Sequence, residues 1–381
     1  MNAGGTEKSL LNLIGKLSKR YEVTILLLER KGLLLDDIPK SVKIEEIENA
    51  KKINFFIAKG VREYINYFYL KELKFIQTLK YYSIYFLSKL LKNEKYNYLI
   101  ISDLFKNPKA NFDIAVAYAG PHNFISYYVA KKIQAQRKIQ WIHFDVSKIH
   151  FNINFSKYLY NFFDEIYTVS EEVKNQLLKK NPVIKNKTKI FYNLISEEEI
   201  KNKANEFIVY NYIKEYIKIV TIGRLSKEKG HKLFIPALKK LIDEGFKVKW
   251  IIVGDGNMKE YLEELSVKLN IDKAIQFIGY KSNPYPYIKG ADLFLQPSYY
   301  EGHAVSILEA KVFNIPIVVT NFAGASEEII HKKTGYIVPI STEGLYQGVK
   351  EMLQNSSLRE KLSFNLKKEA EGLKVTQKII L

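Results

Sequence analysis

Ile217-Lys-Ile-Val-Thr-Ile222-Gly223-Arg224-Leu-Ser-Lys-Glu-Lys229-Gly230 is a β-branched run that stops at a glycine, continues as a polar loop and, from His231, takes up a helical spacing of apolar residues. The same grammar repeats to the end of the chain. Strands are expected at Ile217–Ile222, Trp250–Val253, Ile275–Ile278, Leu293–Gln296, Pro316–Thr320 and Gly335–Val338, with helices at His231–Glu244, Met258–Leu269, Ala304–Phe313, Ser326–His331 and Glu343–Leu353. Gly, Asn or Pro closes each helix. Such βαβα order demands right-handed crossovers and a buried parallel sheet covered by helices on both faces.

The first half reads the same way, less cleanly. Strands are expected at Glu22–Leu28, Val42–Ile47, Tyr98–Ser102, Asp113–Ala117, Ile139–His143, Glu165–Val169 and Lys189–Tyr192, with a long aromatic and basic helical insertion over 50–95. The polar segment Ser196–Tyr216 is the linker candidate. The expectation is an α/β chain of two Rossmann-like, doubly wound domains, 1–205 and 206–381, facing a central cleft into which their strand C-termini open. The last helix is expected to return to the first domain. A glycine turn, Gly4-Gly5-Thr6-Glu7, feeds the helical stretch Glu7–Lys19 with no strand before it. That reads as a first strand lost through a truncated or misassigned start, the alternative being a sheet that begins with the strand near Tyr21.

Across 381 residues, 47% hydrophobic and 26% charged composition excludes wholesale disorder and collagen-like repeats. The absence of Cys removes disulfides, thiolate metal sites and cysteine nucleophiles. No apolar run approaches the ~20 residues of a membrane span, and with no signal-like N-terminus the expected compartment is the cytoplasm. The net charge of +18 favours phosphates, nucleic acid or anionic lipid. Residues 51–95 hold ten basic and three acidic side chains interleaved with aromatics. This stretch reads in three ways: aromatic core of a helical hairpin, an amphipathic surface on anionic lipid, or a single-stranded nucleic-acid platform, the last being the least favoured.

Two loops carry candidate chemistry. Arg224 and Lys229 follow one expected strand and can converge on a diphosphate, Arg by a planar fork and Lys as a compact charge; alone, they would read as solvated surface cations. Pro297-Ser-Tyr-Tyr-Glu301-Gly302-His303-Ala304 follows another strand and leads to Glu309. Its two carboxylates could grip the hydroxyl-bearing ends of an extended ligand, with the amides of Gly302, His303 and Ala304 meeting an anion between them. The bland alternative makes Glu301 a turn residue and Glu309 a surface residue. No Asp-x-Asp run or His spacing suggests a metal site, and no Gly-x-Gly-x-x-Gly fingerprint suggests a dehydrogenase.

Gly223-Arg-Leu with Lys229-Gly, Val253-Gly-Asp-Gly256, Phe277-Ile-Gly-Tyr280 and Glu301-Gly followed by Glu309-Ala, in this order, resemble the C-terminal domain of family 4 glycosyltransferases of GT-B fold. Gly4-Gly5-Thr6-Glu7 and Trp141-Ile-His143-Phe-Asp145 resemble the same family's acceptor domain. The resemblance implies retaining, metal-independent transfer from a UDP- or GDP-sugar, without a further cofactor, to a glycan or polyprenyl-diphosphate-linked acceptor in surface polysaccharide or glycolipid synthesis. It also implies a peripheral place on the inner face of the cell membrane. Carried over by position, Arg224 and Lys229 neutralise the donor diphosphate, Glu301 binds the sugar hydroxyls and Glu309 the ribose. Gly4 and Gly5 admit the diphosphate, the backbone at Tyr280 and Lys281 holds the base, and His143 orients the sugar. His303 and Ala304 depart from the family's pattern, which leaves the donor sugar open. The alternatives are a nucleotide-sugar epimerase and a non-catalytic nucleic-acid or lipid-binding protein of the same fold.

Overall fold

The computed structural model describes residues 4–104, 111–121, 123–149, 151–206 and 215–373. The chain separates into two units. The first is residues 10–192; the second is residue 193 onward together with residues 4–9. The division therefore falls ahead of the Ser196–Tyr216 stretch, which itself contains a helix, Glu197–Lys203, capped by the Ser196 hydroxyl.

The strands are β1 (Thr24–Leu27), β2 (Lys43–Glu46), β3 (Asn111–Gly120), β4 (Gln134–Ile142), β5 (Glu165–Thr168), β6 (Thr188–Ile190), β7 (Ile217–Ile222), β8 (Val248–Val253), β9 (Ile275–Gly279), β10 (Leu293–Gln296), β11 (Ile317–Thr320) and β12 (Tyr336–Val338). In the second unit they form one parallel sheet in the order β12-β11-β10-β7-β8-β9. Side-chain alternation along these strands divides the core in two. Ile219, Trp250, Ile252, Leu293, Leu295 and Val318 face one apolar layer, while Val220, Ile251, Val253, Phe294, Ile317 and Val319 face the other. Helices His231–Asp243 and Thr342–Gln354 cover the first face, and Val305–Lys311 lies on the second. The last helix, Ser356–Leu373, belongs to this unit and buries Leu362 and Leu366.

The strand order reverses beside β7: the chain runs β7, β8, β9 outward on one side, then crosses back to place β10 on the other. Ligands of open α/β sheets bind at such a switch point, outside the strand C-termini. The loops after β7 and β10 are the two that carry Arg224, Lys229 and Glu301.

The first unit holds a parallel pair, β1-β2, and a parallel four-stranded sheet, β3-β4-β5-β6; no described strand joins them. The strand expected at Tyr98–Ser102 is instead the helix Lys95–Ile101, with Tyr98, Ile100 and Ile101 buried. A short apolar run satisfies a buried helix as well as a strand, and periodicity alone does not separate them. The helix expected over Ser326–His331 shrinks to Ala325–Glu328, because Ile329 turns extended.

The insertion folds as helices Ala50–Lys59, Val61–Ile65, a π turn at Asn66–Leu70, Phe75–Leu90 and Lys95–Ile101. Phe56, Tyr64, Tyr81 and Tyr98 are core, in edge-to-face and tilted ring contacts. The helix Phe75–Leu90 is turned the other way. Thr78, Tyr81 and Ser88 face inward, while Phe75, Ile76, Leu79, Phe86, Leu87 and Leu90 are exposed. At 100° per residue these six fall within an arc of about 120°.

Candidate functional site

Tight loop packing at the switch point creates the site. Leu225 N donates to Asp255 O and Met258 N to Leu225 O, both at 2.9 Å, which ties the loop after β7 to the loop after β8. The second tie is between the Lys227–Lys229 turn and the loop after β10: Tyr299 N donates to Glu228 O at 2.8 Å. Gly230 is left-handed (φ 65°), and a Cβ there would sit 1.9 Å from Pro297 O. Only glycine allows both the conformation and the approach.

That approach brings Lys229 onto Glu301. The ammonium lies 2.8 and 2.9 Å from the two carboxylate oxygens. Glu301 Oε1 also accepts from Gln296 Nε2 at 2.8 Å and Ser298 Oγ at 2.6 Å. Both side chains of the pair are largely buried, Glu301 more than Lys229. A second pair stands beside it on the next helix. Glu309 is buried and accepts from Lys8 Nζ at 3.1 Å and Tyr285 OH at 3.2 Å. A Cβ placed on Gly4 would lie 3.5 Å from Arg224 Nη2, and one on Gly5 would lie 3.9 Å from Val305 Cγ2.

The structure thus gathers Gly4, Gly5, Arg224, Lys229, Glu301 and Glu309 in one unit around the β7–β10 crevice. Tyr280 and Lys281 follow β9, the outer strand two places from β7, at the same C-terminal end of the sheet. The amides expected to cradle an anion are partly committed: Ala304 N donates to Glu328 Oε1 at 2.9 Å, and the helix that begins after it has only seven residues. His303 is held by its backbone, its carbonyl accepting from Asn193 Nδ2 at 3.1 Å. Burial, then the charge of Lys311, pulls its ring pKa down to about 4, so at neutral pH it is an uncharged imidazole.

His143 belongs to the first unit, directly after β4. It is buried against Tyr118 and Trp141, with ring centroids 4.5 and 6.1 Å away. Burial pushes its pKa down to about 3, so it too is neutral, able to donate or accept a hydrogen bond but not to act as a cation.

Sequence reasoning missed Lys8, Tyr285, Gln296, Ser298 and Glu328. Lys8 directly follows the Gly-Gly-Thr-Glu motif, and Gln296 and Ser298 flank a strand end, so position offered a signal for three of them. Glu328 offered none: nothing in Ser326-Glu-Glu-Ile marks one of two adjacent acids as buried.

A family profile described as glycosyl transferases group 1 matches residues 202–369. The chain is 31% identical over 150 residues to an uncharacterized glycosyltransferase of Methanocaldococcus jannaschii, covering 39% of this chain and 37% of that one. It is 31% identical over 188 residues to the N-acetylgalactosamine-N,N'-diacetylbacillosaminyl-diphospho-undecaprenol 4-alpha-N-acetylgalactosaminyltransferase of Campylobacter jejuni, covering 49% and 50%. The matched stretches thus span half or less of these curated relatives. Among solved structures, HepE of Anabaena in complex with UDP and glucose superposes with a TM-score of 0.70 at 16% identity, over 97% of this chain and 92% of that one. WaaG, a glycosyltransferase involved in lipopolysaccharide biosynthesis, gives 0.59 at 16% over the same shares. These likenesses establish the GT-B fold.

Proposed function

We propose that the chain is a retaining family 4 glycosyltransferase that moves a hexose or related sugar from a UDP- or GDP-sugar to a glycan or polyprenyl-diphosphate-linked acceptor in surface polysaccharide or glycolipid synthesis. The observation that carries this reading is the Lys229–Glu301 pair at the switch point, with Arg224 on the same loop as Lys229. A diphosphate sugar presents the complement of that pair: the phosphates take the ammonium from Glu301, and the sugar hydroxyls donate to the carboxylate in its place. Arg224 and Lys229 then face the charge that grows on the departing diphosphate as the glycosidic bond breaks, which stabilises the transition state without a bound metal. Glu309 receives the ribose hydroxyls, and His143 orients the sugar as a neutral hydrogen-bonding group. No protein nucleophile is assigned. The relative named for a diphospho-undecaprenol-linked substrate supports an acceptor of the same lipid-linked kind.

A peripheral place on the inner membrane face belongs to the same proposal. No described helix is long and apolar enough to cross a membrane. The exposed apolar arc of Phe75–Leu90 lies among Lys71, Lys74, Lys80, Lys89 and Lys92, which suits an anionic lipid surface better than water.

Titration calorimetry with UDP, GDP and their glucose conjugates tests the donor site. Binding of one nucleoside diphosphate, together with acceptor-dependent release of the nucleotide from its sugar conjugate, is the expected result. Absence of binding to every nucleotide removes the donor site, and nucleotide-sugar isomerisation without release would point to an epimerase.

A further inference from the structure

Glu328 is a buried acid that the proposed chemistry does not use. It ends the short helix Ala325–Glu328 and is 5% exposed. Its Oε1 accepts from the Ala304 amide at 2.9 Å, and its buried Oε2 has no hydrogen-bond partner. Ala304 is the N-cap position of the helix Val305–Lys311, three residues after Glu301 and five before Glu309. It is 3% exposed and packs in the same apolar layer as Ala325 and Ile329. Between the two proposed donor-binding carboxylates the backbone is therefore held at Ala304 by a hydrogen bond to Glu328, next to the His303 carbonyl held by Asn193.

We propose that Glu328 is a positioning residue of the donor site: its side-chain oxygen anchors the Ala304 amide and so fixes where Glu301 and Glu309 present their carboxylates. This rests on the donor reading above and adds a residue to it. Charge makes the choice of a carboxyl informative. Burial, and secondarily the charges of Glu301 on the preceding loop and Glu327 on its own helix, push its pKa up to about 8, against the Ala304 N–H and Lys311, which lower it. At neutral pH the group is an uncharged acid, and the anchor adds no negative charge where a diphosphate has to bind. Above pH 8 it ionises beside Glu301 and opposes the diphosphate.

The test uses the full chain, UDP and UDP-glucose as probes, and the variants Glu328→Gln and Glu328→Leu. Gln keeps a neutral carbonyl acceptor for Ala304; Leu strands the amide. At pH 7, Glu328→Gln is expected to bind within about threefold of wild type and Glu328→Leu at least about tenfold more weakly, with sugar release falling further than binding. From pH 7.5 to 9 the wild-type affinity falls while that of Glu328→Gln stays level. Wild-type affinity in folded Glu328→Leu overturns the proposal, as does a Gln variant as defective as Leu. Should Leu not fold, identical pH profiles of wild type and Gln overturn it. If the wild type binds neither probe, the donor reading falls and takes this one with it; unaffected variants of a binding wild type remove this one alone.

Discussion

Replacing Lys229 by Ala gives the most direct reading of the switch-point pair. In the unliganded site its ammonium touches both oxygens of Glu301, which keeps only Gln296 and Ser298 as donors once the lysine is gone. A diphosphate then loses one charge-assisted contact, about 1.5–3 kcal/mol, and meets a carboxylate no longer compensated. At an effective dielectric of ~20, two charges ~4 Å apart interact by up to ~4 kcal/mol. The lost contact by itself puts the loss at about 10- to 100-fold in UDP affinity, since each ~1.4 kcal/mol is tenfold, and the repulsion adds to it. Glu301→Gln does the reverse for bare UDP: it frees Lys229, so affinity holds or tightens up to about tenfold, while transfer of sugar falls at least ~100-fold because the hydroxyls have lost their acceptor. In the Glu301→Gln background the repulsion is absent, so the deficit of Lys229→Ala measured against Glu301→Gln shrinks from about 100-fold to about tenfold. Calorimetry with UDP on the four proteins completes the cycle. Wild-type affinity in Lys229→Ala, or a double variant whose loss is the product of the singles, would refute the exchange of partners on which the mechanism depends.

Gly230→Ala forces a left-handed alanine whose Cβ lies 1.9 Å from Pro297 O; about 2–4 kcal/mol of stability should go, lowering Tm by ~5–15 °C, and an unchanged melting curve would show that the two loops part freely. His143, His231 and His303 are held neutral with pKa values of about 3, 3 and 4, so below pH 6.5 the unfolded chain binds up to three protons that the native chain refuses. Glu328, raised to about 8, keeps one proton that the unfolded chain has released. Near pH 5.5 the net of about two protons makes stability fall ~2.7 kcal/mol per unit of acidification, and above about pH 7 the proton held by Glu328 outweighs those of the unfolded histidines, so stability falls with rising pH; urea titrations showing highest stability at pH 5 or 9 would contradict both. Changing Phe75, Leu79 and Phe86 together to Ser should abolish sedimentation with anionic vesicles while preserving Tm, and raised salt should weaken the wild type. Undiminished vesicle binding by the triple variant removes the lipid surface.

The second unit was legible because its site is made of element ends. Short apolar runs such as Ile217–Ile222 and Leu293–Gln296, each ending at a Gly or Pro, fix both the strands and the point where each stops, and a ligand site outside strand termini inherits that clarity. Arg224, Lys229 and Glu301 could be named from their offsets after those runs. Their pairing could not, since it depends on how closely the Lys227–Gly230 turn approaches Pro297, a distance set by packing across 67 positions of sequence between Gly230 and Pro297. Lys8 and Glu309, 301 positions apart, present the same difficulty in a stronger form.

The first unit resisted for a different reason. A helix that buries its apolar stripe and one that displays it have the same sequence period, because 3.6-residue spacing records only that one face is unlike the other. In the insertion both occur within fifty residues: Ile53 and Phe56 point their face into the core, whereas Phe75, Leu79 and Phe86 carry theirs outward over a buried side made of Thr78, Tyr81 and Ser88. The clue lay on the minor face. A helix whose inward positions include Thr and Ser, each returning its hydroxyl to its own backbone at Lys74 O and Tyr85 O, can be packed against protein without an unsatisfied polar group. The apolar side then stays exposed, and it is this face, with its flanking lysines, that the proposed anionic lipid surface would cover.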